Sequence, residues 1–204
     1  SKFVRDIQSD SALNNVVKRW IYNAPRKYVV EQAYDENNGV LCGIVSSDKV
    51  YEHILSNNPK NLGDIIEGQS FVIDGMKVTI ISPDVDKLNQ LREKYSNHRP
   101  LCKSEIDKAS VEAGSVMDDY FIPLQKFNLD YFQEDTSVEN ASSIAAVFEY
   151  DDKRILWLSD SVPSVVMKSL FMLGFSETNK MYCDAVLLSH HGSAANNSLA
   201  LLRM

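Results

Sequence analysis

Two side chains capable of metal chemistry follow two apolar, strand-like runs in the last quarter of the chain. Asp160 follows residues 155–158, and His190 follows residues 185–188. The stretch between them has a helical pattern, so a β-α-β unit is predicted, with both side chains at the sheet edge where α/β sheets bind ligands. Zn²⁺ and Mn²⁺ accept carboxylate and imidazole ligands and activate a bound water. The spacing therefore predicts part of a hydrolytic metal site, with Asp160 bridging two metals and His190 as a terminal ligand.

The residues next to His190 extend this prediction. Gly192 is expected to let backbone approach the site closely, and Ser193 to donate a hydrogen bond to a ligand or a supporting group. Other interpretations are open, because Asp160 can instead cap the following helix and the His190-His191 pair can be a solvated loop. A serine hydrolase is disfavoured, since the sequence contains no G-x-S-x-G motif.

The elements that position these residues are predicted from turn signals and periodicity. Asp74-Gly75 between alternating apolar runs indicates a β-hairpin, and a second hairpin is predicted over residues 143–158. Helices are predicted over residues 46–56, 84–96 and 162–173, and from residue 198 onward. Hairpins combined with one crossover indicate an α+β fold. Trp157 is expected in the core, and His53 on the solvated face of a helix.

Length and composition predict one domain over residues 1–204, with an irregular excursion at residues 98–140. The formal charge of −7 excludes a domain-wide basic surface for nucleic acid. No stretch has the apolar length of a membrane span and the N-terminus lacks a signal-peptide pattern, so no membrane partner is expected. Three scattered cysteines fit a reducing, cytoplasmic location.

Three segments of the sequence resemble the metallo-β-lactamase superfamily, and its ComEC-like branch in particular. They are residues 135–145, residues 158–160, and residues 184–193 with their His-His-Gly-Ser block. The resemblance implies a four-layered αββα fold, two Zn or Mn sites in the intact parent protein that this chain can lack, and hydrolysis of phosphodiester bonds, with nucleic acid as one such substrate. It makes Asp160 the metal-bridging carboxylate and His190 the imidazole ligand, with His191 as the alternative.

The sequence also departs from that family. Asn140 and Ser143 lie where many members have a further histidine, so they are expected near the metal or substrate, and Ser159 replaces the usual glycine before the aspartate. The main metal motif, His-x-His/Asp-x-Asp-His, is absent. The chain is therefore expected to be a fragment cut at both ends, or a degenerate member, with little activity alone. The alternative is a non-catalytic binding or regulatory module. An incomplete sheet would expose apolar surface, which predicts self-association.

Overall fold

The computed structural model describes residues 20–26, 42–57, 63–96 and 132–204. The chain divides into two compact units, one formed by Ser1–Gly63 with Arg92–Asn128 and the other by Asp64–Leu91 with Leu129–Met204. The single domain over residues 1–204 stays a prediction. Of the expected irregular excursion at 98–140, residues 98–131 lie outside the described ranges. Among the described residues, no helix has the length and apolar character needed to cross a membrane.

In the first unit, helix α1 spans Cys42–Asn57 and confirms the helix predicted over residues 46–56. His53 on this helix is buried, with only 3% of its surface exposed. Its ring meets Trp20 edge-on at 5.8 Å between centroids, and its Nδ1 lies 3.2 Å from Asn57 Nδ2. The expectation that His53 is solvated was therefore wrong, because an aromatic residue distant in sequence covers that side of the helix.

The second unit is built on a five-stranded sheet with the strands in chain order. The strands are β1 (Ser70–Ile73), β2 (Met76–Ser82), β3 (Ala145–Tyr150), β4 (Lys153–Trp157) and β5 (Ala185–Leu187). The first three pairings are antiparallel and the last is parallel. The helical segments that begin in this unit are α2 (Val85–Ser96), α3 (Val138–Ala141), α4 (Pro163–Met172), the 3₁₀ turn Ser189–Gly192 and α5 (Leu199–Leu202). Residues 92–96 of α2 belong to the first unit. This confirms an α+β architecture with a mixed sheet.

Both predicted hairpins are closed by turns whose backbones are left-handed. Asp74 and Gly75 have φ values of 49° and 87°, and Asp151 and Asp152 have φ values of 47° and 60°. Two consecutive positive φ angles are typical of the primed turns that match the twist of paired strands. Aspartate and glycine tolerate this conformation better than other residues, so the turn chemistry could be recognised from sequence alone.

One face of the sheet is covered by helix α4 and by Leu201 of α5. The buried cluster on this face contains, from the sheet, Ile81, Ala145, Val147, Leu156 and Leu158, and from the helices, Val166, Leu170 and Leu201. Helix α4 begins with Pro163, whose missing N–H costs nothing in the first turn of a helix. The helix thus joins the end of β4 to the start of β5 while it buries its apolar side on the sheet.

The opposite face of the sheet is apolar but open over β4 and β5. A smaller buried cluster of Val78, Ile80 and Ala146 lies on this side. Trp157 pairs with Ala146 on β3 and with Leu187 on β5, and its side chain is 47% exposed. The expectation that Trp157 lies in the core was wrong, because no described element packs over this part of the sheet. The result is an exposed apolar strip formed by Trp157, Ile155 and Leu187.

Candidate functional site

The parallel pairing of β4 with β5 brings the segments that follow them side by side. Trp157 is in register with Leu187, and the Leu158 N–H donates to the Leu187 carbonyl at 3.2 Å. Beyond the strands, the His190 N–H donates to the Ser159 carbonyl at 2.8 Å. Ser159 directly precedes Asp160, so the backbones that carry Asp160 and His190 are hydrogen-bonded neighbours at the carboxyl ends of the strands. This is the juxtaposition that the sequence predicts.

Both strand ends turn through left-handed backbone conformations. Ser159 has a φ of 50°, His190 of 46° and His191 of 56°. Such angles cost a non-glycine residue roughly 1–2 kcal/mol, and this kind of strain is concentrated at functional sites. The conformation also gives a physical reason for the glycine that the resembling family has at the position of Ser159. Here the Ser159 hydroxyl donates to the Ile144 carbonyl at 2.7 Å, which helps to hold the turn.

Gly192 and Ser193 continue this turn in different ways. Gly192 has a φ of 87°, but a Cβ placed there would meet only Leu188 Cδ1, at 4.0 Å. The positive φ is therefore a reason for glycine at this position, and the expectation that Gly192 lets backbone approach the site closely stays a prediction. The Ser193 N–H donates to the His190 carbonyl at 3.0 Å. Its hydroxyl makes no hydrogen bond with any described residue, so it is available to donate.

The imidazole of His190 lies beside the carboxylate of Asp135, which was not among the predicted site residues. Asp135 accepts hydrogen bonds from Ser137 N at 2.8 Å, Asn140 Nδ2 at 2.5 Å and Asn196 Nδ2 at 3.2 Å. Its Oδ2 is 4.0 Å from His190 Nδ1. Burial alone would raise the pKa of Asp135, but the hydrogen bonds and the nearby imidazole outweigh it, and the pKa lies below its ordinary value. Asp135 is therefore ionised at neutral pH.

Asn196 is the residue that connects the separate parts of the site. It is 1% exposed, and its Nδ2 donates to the Asp160 carbonyl at 3.3 Å as well as to Asp135. Its Oδ1 lies 3.3 Å from His190 Nδ1. The side chain of the next residue, Asn197, bonds to both backbone groups of Ser189. Its Oδ1 accepts from the Ser189 N–H at 2.9 Å, and its Nδ2 donates to the Ser189 carbonyl at 2.8 Å. The sequence signal that could have found these residues is an Asn-Asn pair soon after the His-His-Gly-Ser block.

The remaining predicted residues have separate surroundings. Asn140 approaches His190, with 3.4 Å between its Nδ2 and the imidazole Nδ1. The hydroxyl of Ser143 instead donates to the backbone carbonyl of Glu139 in the same loop, at 3.4 Å. The ring of His191 is exposed, with its centroid 6.1 Å from that of His190. Asn140 is therefore part of the cluster around His190, whereas Ser143 supports the loop before β3.

The structure decides against a capping role for Asp160. The N-cap of α4 is Val162, whose side chain makes no cap bond, and the Ser164 N–H in the first turn donates to Glu134 Oε2 at 2.7 Å. The carboxylate of Asp160 is partly buried and accepts no hydrogen bond from a described residue, so its oxygen atoms are available to a ligand.

The donor atoms available here match Zn²⁺ or Mn²⁺ in kind, since carboxylate oxygen and imidazole nitrogen are their usual ligands. They fall short in number, because a catalytic zinc site uses three protein ligands. Within the described ranges, no group of three or more His, Cys, Asp or Glu side chains is placed to hold a metal ion. Asp160 and His190 are two side chains of these kinds, on segments joined by the backbone hydrogen bond from His190 to Ser159.

Comparison with known proteins finds no protein-family model, no curated protein and no solved structure that matches this chain. The resemblance to the metallo-β-lactamase superfamily therefore rests on the three sequence segments.

Proposed function

We propose that the chain is a metal-dependent hydrolase of the metallo-β-lactamase type that acts on phosphodiester bonds, with nucleic acid as a candidate substrate. The observation that carries the proposal is the hydrogen bond between His190 N and Ser159 O, 2.8 Å long, at the ends of two parallel strands. It holds a carboxylate and an imidazole at the sheet edge where ligands bind. Asp160 and His190, with His191 as the alternative, would hold Zn or Mn, which supplies a water with a pKa of about 7.

The residues of the chain itself support this role through charge and position. Asp160 has a carboxylate that no described residue engages. His190 is held on its Nδ1 side by Asn196 and faces the ionised Asp135. A negative charge 4.0 Å from the imidazole favours a cation at the site, because opposite charges attract strongly where water is partly excluded. The positive φ angles at Ser159 and His190 show that the chain accepts backbone strain to keep this arrangement.

The open face of the sheet supports the layered fold that the resemblance implies. Ile155, Trp157 and Leu187 lie on the face opposite α4, and between 38% and 47% of each side chain is exposed. An apolar sheet face is normally covered by a second layer. We therefore propose that this sheet is one half of an αββα sandwich. Over the described residues this face is open, and self-association of two copies would cover the same strip.

The same proposal predicts low activity for residues 1–204 alone. The sequence has four histidines, and none of them stands in the spacing of the family's main metal motif. Two ligands bind a divalent ion more weakly than three or four, so occupancy should be low at micromolar metal.

The test combines metal binding with hydrolysis of bis-p-nitrophenyl phosphate in the presence of Zn²⁺ or Mn²⁺. Saturating metal should raise the melting temperature of the wild-type chain, because a ligand that binds only the folded state stabilises it. Asp160→Ala and His190→Ala should each abolish this rise and any metal-dependent hydrolysis. Asp152→Asn, a change at an exposed turn aspartate, is the matched control and should leave both unchanged. Metal binding that is equal in all four proteins would rule out the assignment.

A second candidate is a non-catalytic binding module, and the exposed strip of Ile155, Trp157 and Leu187 is the observation that favours it. Both candidates allow association through this strip, so sedimentation analysis of the wild type and of Trp157→Thr is combined with the metal-response assay, and the metal response separates the two. A binding module predicts concentration-dependent association that Trp157→Thr weakens, with no metal-dependent hydrolysis in either protein. The hydrolase predicts that Trp157→Thr retains the metal response, since the strip lies on the sheet face and not at the strand ends.

A further inference from the structure

We infer that Asn196 is a positioning residue that holds His190 in its Nδ1–H tautomer and leaves Nε2 as the only ring nitrogen with a free lone pair. The orientation of the Asn196 amide follows from its donor group. Its Nδ2 lies 3.2 Å from Asp135 Oδ2 and 3.3 Å from the Asp160 carbonyl, and both of these atoms are acceptors. The amide oxygen must therefore be the atom that faces His190 Nδ1, at 3.3 Å. An oxygen in that position accepts a hydrogen bond from a protonated Nδ1 and repels a lone pair there.

Among the described residues, Asn140 is the neighbour that opposes this tautomer, because its Nδ2 lies 3.4 Å from the same ring nitrogen. The contact from Asn140 to His190 Nδ1 is weaker than the one from Asn196. Asn140 Nδ2 already donates to Asp135 Oδ2 at 2.5 Å, a much shorter contact with an ionised acceptor. The same carboxylate oxygen lies 4.0 Å from His190 Nδ1, where its charge favours an N–H over a lone pair. Two acceptor oxygens thus face Nδ1, against one amide group that is bonded elsewhere.

The tautomer determines which ring nitrogen of His190 can bind a ligand. A neutral histidine free in water favours the proton on Nε2, so the site inverts the ordinary preference. The Nε2 lone pair is then free to bind a cation or to accept a proton. Metal-binding histidines usually donate their other N–H to a carboxylate or carbonyl, which is the arrangement that Asn196 provides. The tautomer stands apart from the proposed hydrolase function; only the use of Nε2 as a metal ligand rests on it.

The experiment is a long-range ¹H–¹⁵N correlation spectrum of the uniformly labelled chain, recorded at mildly alkaline pH so that ordinary imidazoles are neutral. The ¹⁵N shifts distinguish a protonated from an unprotonated ring nitrogen. His190→Gln identifies the His190 signals by their loss. We expect a protonated Nδ1 and an unprotonated Nε2 for His190. His191, whose exposed ring makes no hydrogen bond with a described residue, is the internal control and should show the ordinary Nε2–H form. A wild-type spectrum with the His190 proton on Nε2 would overturn the inference, whatever the variants do.

Two variants separate positioning from a general structural effect. Asn196→Ala removes the acceptor and leaves Asn140 as the nearest polar partner of Nδ1, so His190 should shift toward the Nε2–H form. Asn140→Ala removes the opposing donor and should keep the proton on Nδ1. The reverse pattern would contradict the role of Asn196. Addition of Zn²⁺ alone should then move the Nε2 signal of His190 far more than its Nδ1 signal. If the tautomer is as expected but Zn²⁺ moves neither signal, the proposed metal site fails and the positioning role of Asn196 stands.

Discussion

Replacement of Asp135 by alanine should destabilise the second unit by about 3 kcal/mol. Its carboxylate joins residues 135–140 to Asn196, and through Asn196 to the backbone at Asp160. Asp135→Ala removes three hydrogen bonds to an ionised acceptor, each worth roughly 1.5–3 kcal/mol when the donor has no other partner. The measured loss should be smaller than the sum of the three bonds, because they are not independent and because water can replace some of them.

The donors of Ser137 and Asn140 are only partly buried, so water can replace the lost bonds at a small net cost. Asn196 is 1% exposed, and its amide nitrogen keeps only the 3.3 Å bond to the Asp160 carbonyl. We therefore expect about 2 kcal/mol from Asn196 and about 1 kcal/mol from the other two donors, a total near 3 kcal/mol. For a chain of this size, that corresponds to a fall in melting temperature of about 9 °C.

Urea unfolding at neutral pH, followed by circular dichroism, measures this loss. Asp135→Asn retains one acceptor oxygen and should lose about 1 kcal/mol, because a neutral acceptor forms the weaker hydrogen bonds. Asp152→Asn is the control, since Asp152 is an exposed turn residue whose left-handed backbone asparagine tolerates. The reasoning is refuted if Asp135→Ala unfolds within about 0.5 kcal/mol of that control, the range of ordinary surface substitutions.

Two further predictions concern the sheet and the His190 turn. Hydrogen bonds from Arg154, together with Lys77, hold the pKa of Glu149 below its ordinary value of 4.5 although burial opposes them. The Glu149 carboxylate therefore adds stability above that value, and this stability is lost as the pH falls through the lowered pKa. Glu149→Gln should cost about 0.5–1 kcal/mol at pH 7. In urea titrations the difference from wild type should shrink as the pH falls below 4.5 and through the lowered pKa; a difference that acid does not reduce would contradict the pairing. His191 has a φ of 56° and is exposed, so His191→Val should lose roughly 1–2 kcal/mol while His191→Gly loses nothing or gains slightly. Equal thermal stability of the two His191 variants would show that the left-handed turn is absent in solution.

Local signals explain why most elements could be predicted. Asp74-Gly75 encodes a turn by its own conformational preferences, and Ser198 accepts a hydrogen bond from Leu201 N at 3.1 Å, as its position before a helix indicates. The parallel pair of β4 and β5 follows from two apolar runs separated by a helix. These features depend on residues close together in sequence, where backbone sterics and periodicity act directly.

Burial could not be read from residue type alone. His53 is polar and buried, whereas Trp157 is apolar and nearly half exposed. Whether a face is covered depends on which distant segment packs over it. Trp20 covers His53 across more than thirty residues of chain, and no described element covers Trp157. The contribution of a distant segment leaves no trace in the local pattern.

The sequence by itself determined the identity and order of the candidate residues, because Asp160 and His190 follow strands whose register and direction are set by apolar runs and a crossover helix. Only the tertiary structure decided what surrounds them. Asp135 and Asn196 lie 61 residues apart in sequence, yet both lie beside Nδ1 of the same imidazole, that of His190. The orientation of that ring depends on hydrogen bonds with defined distances and donors, and these exist only once the chain has folded.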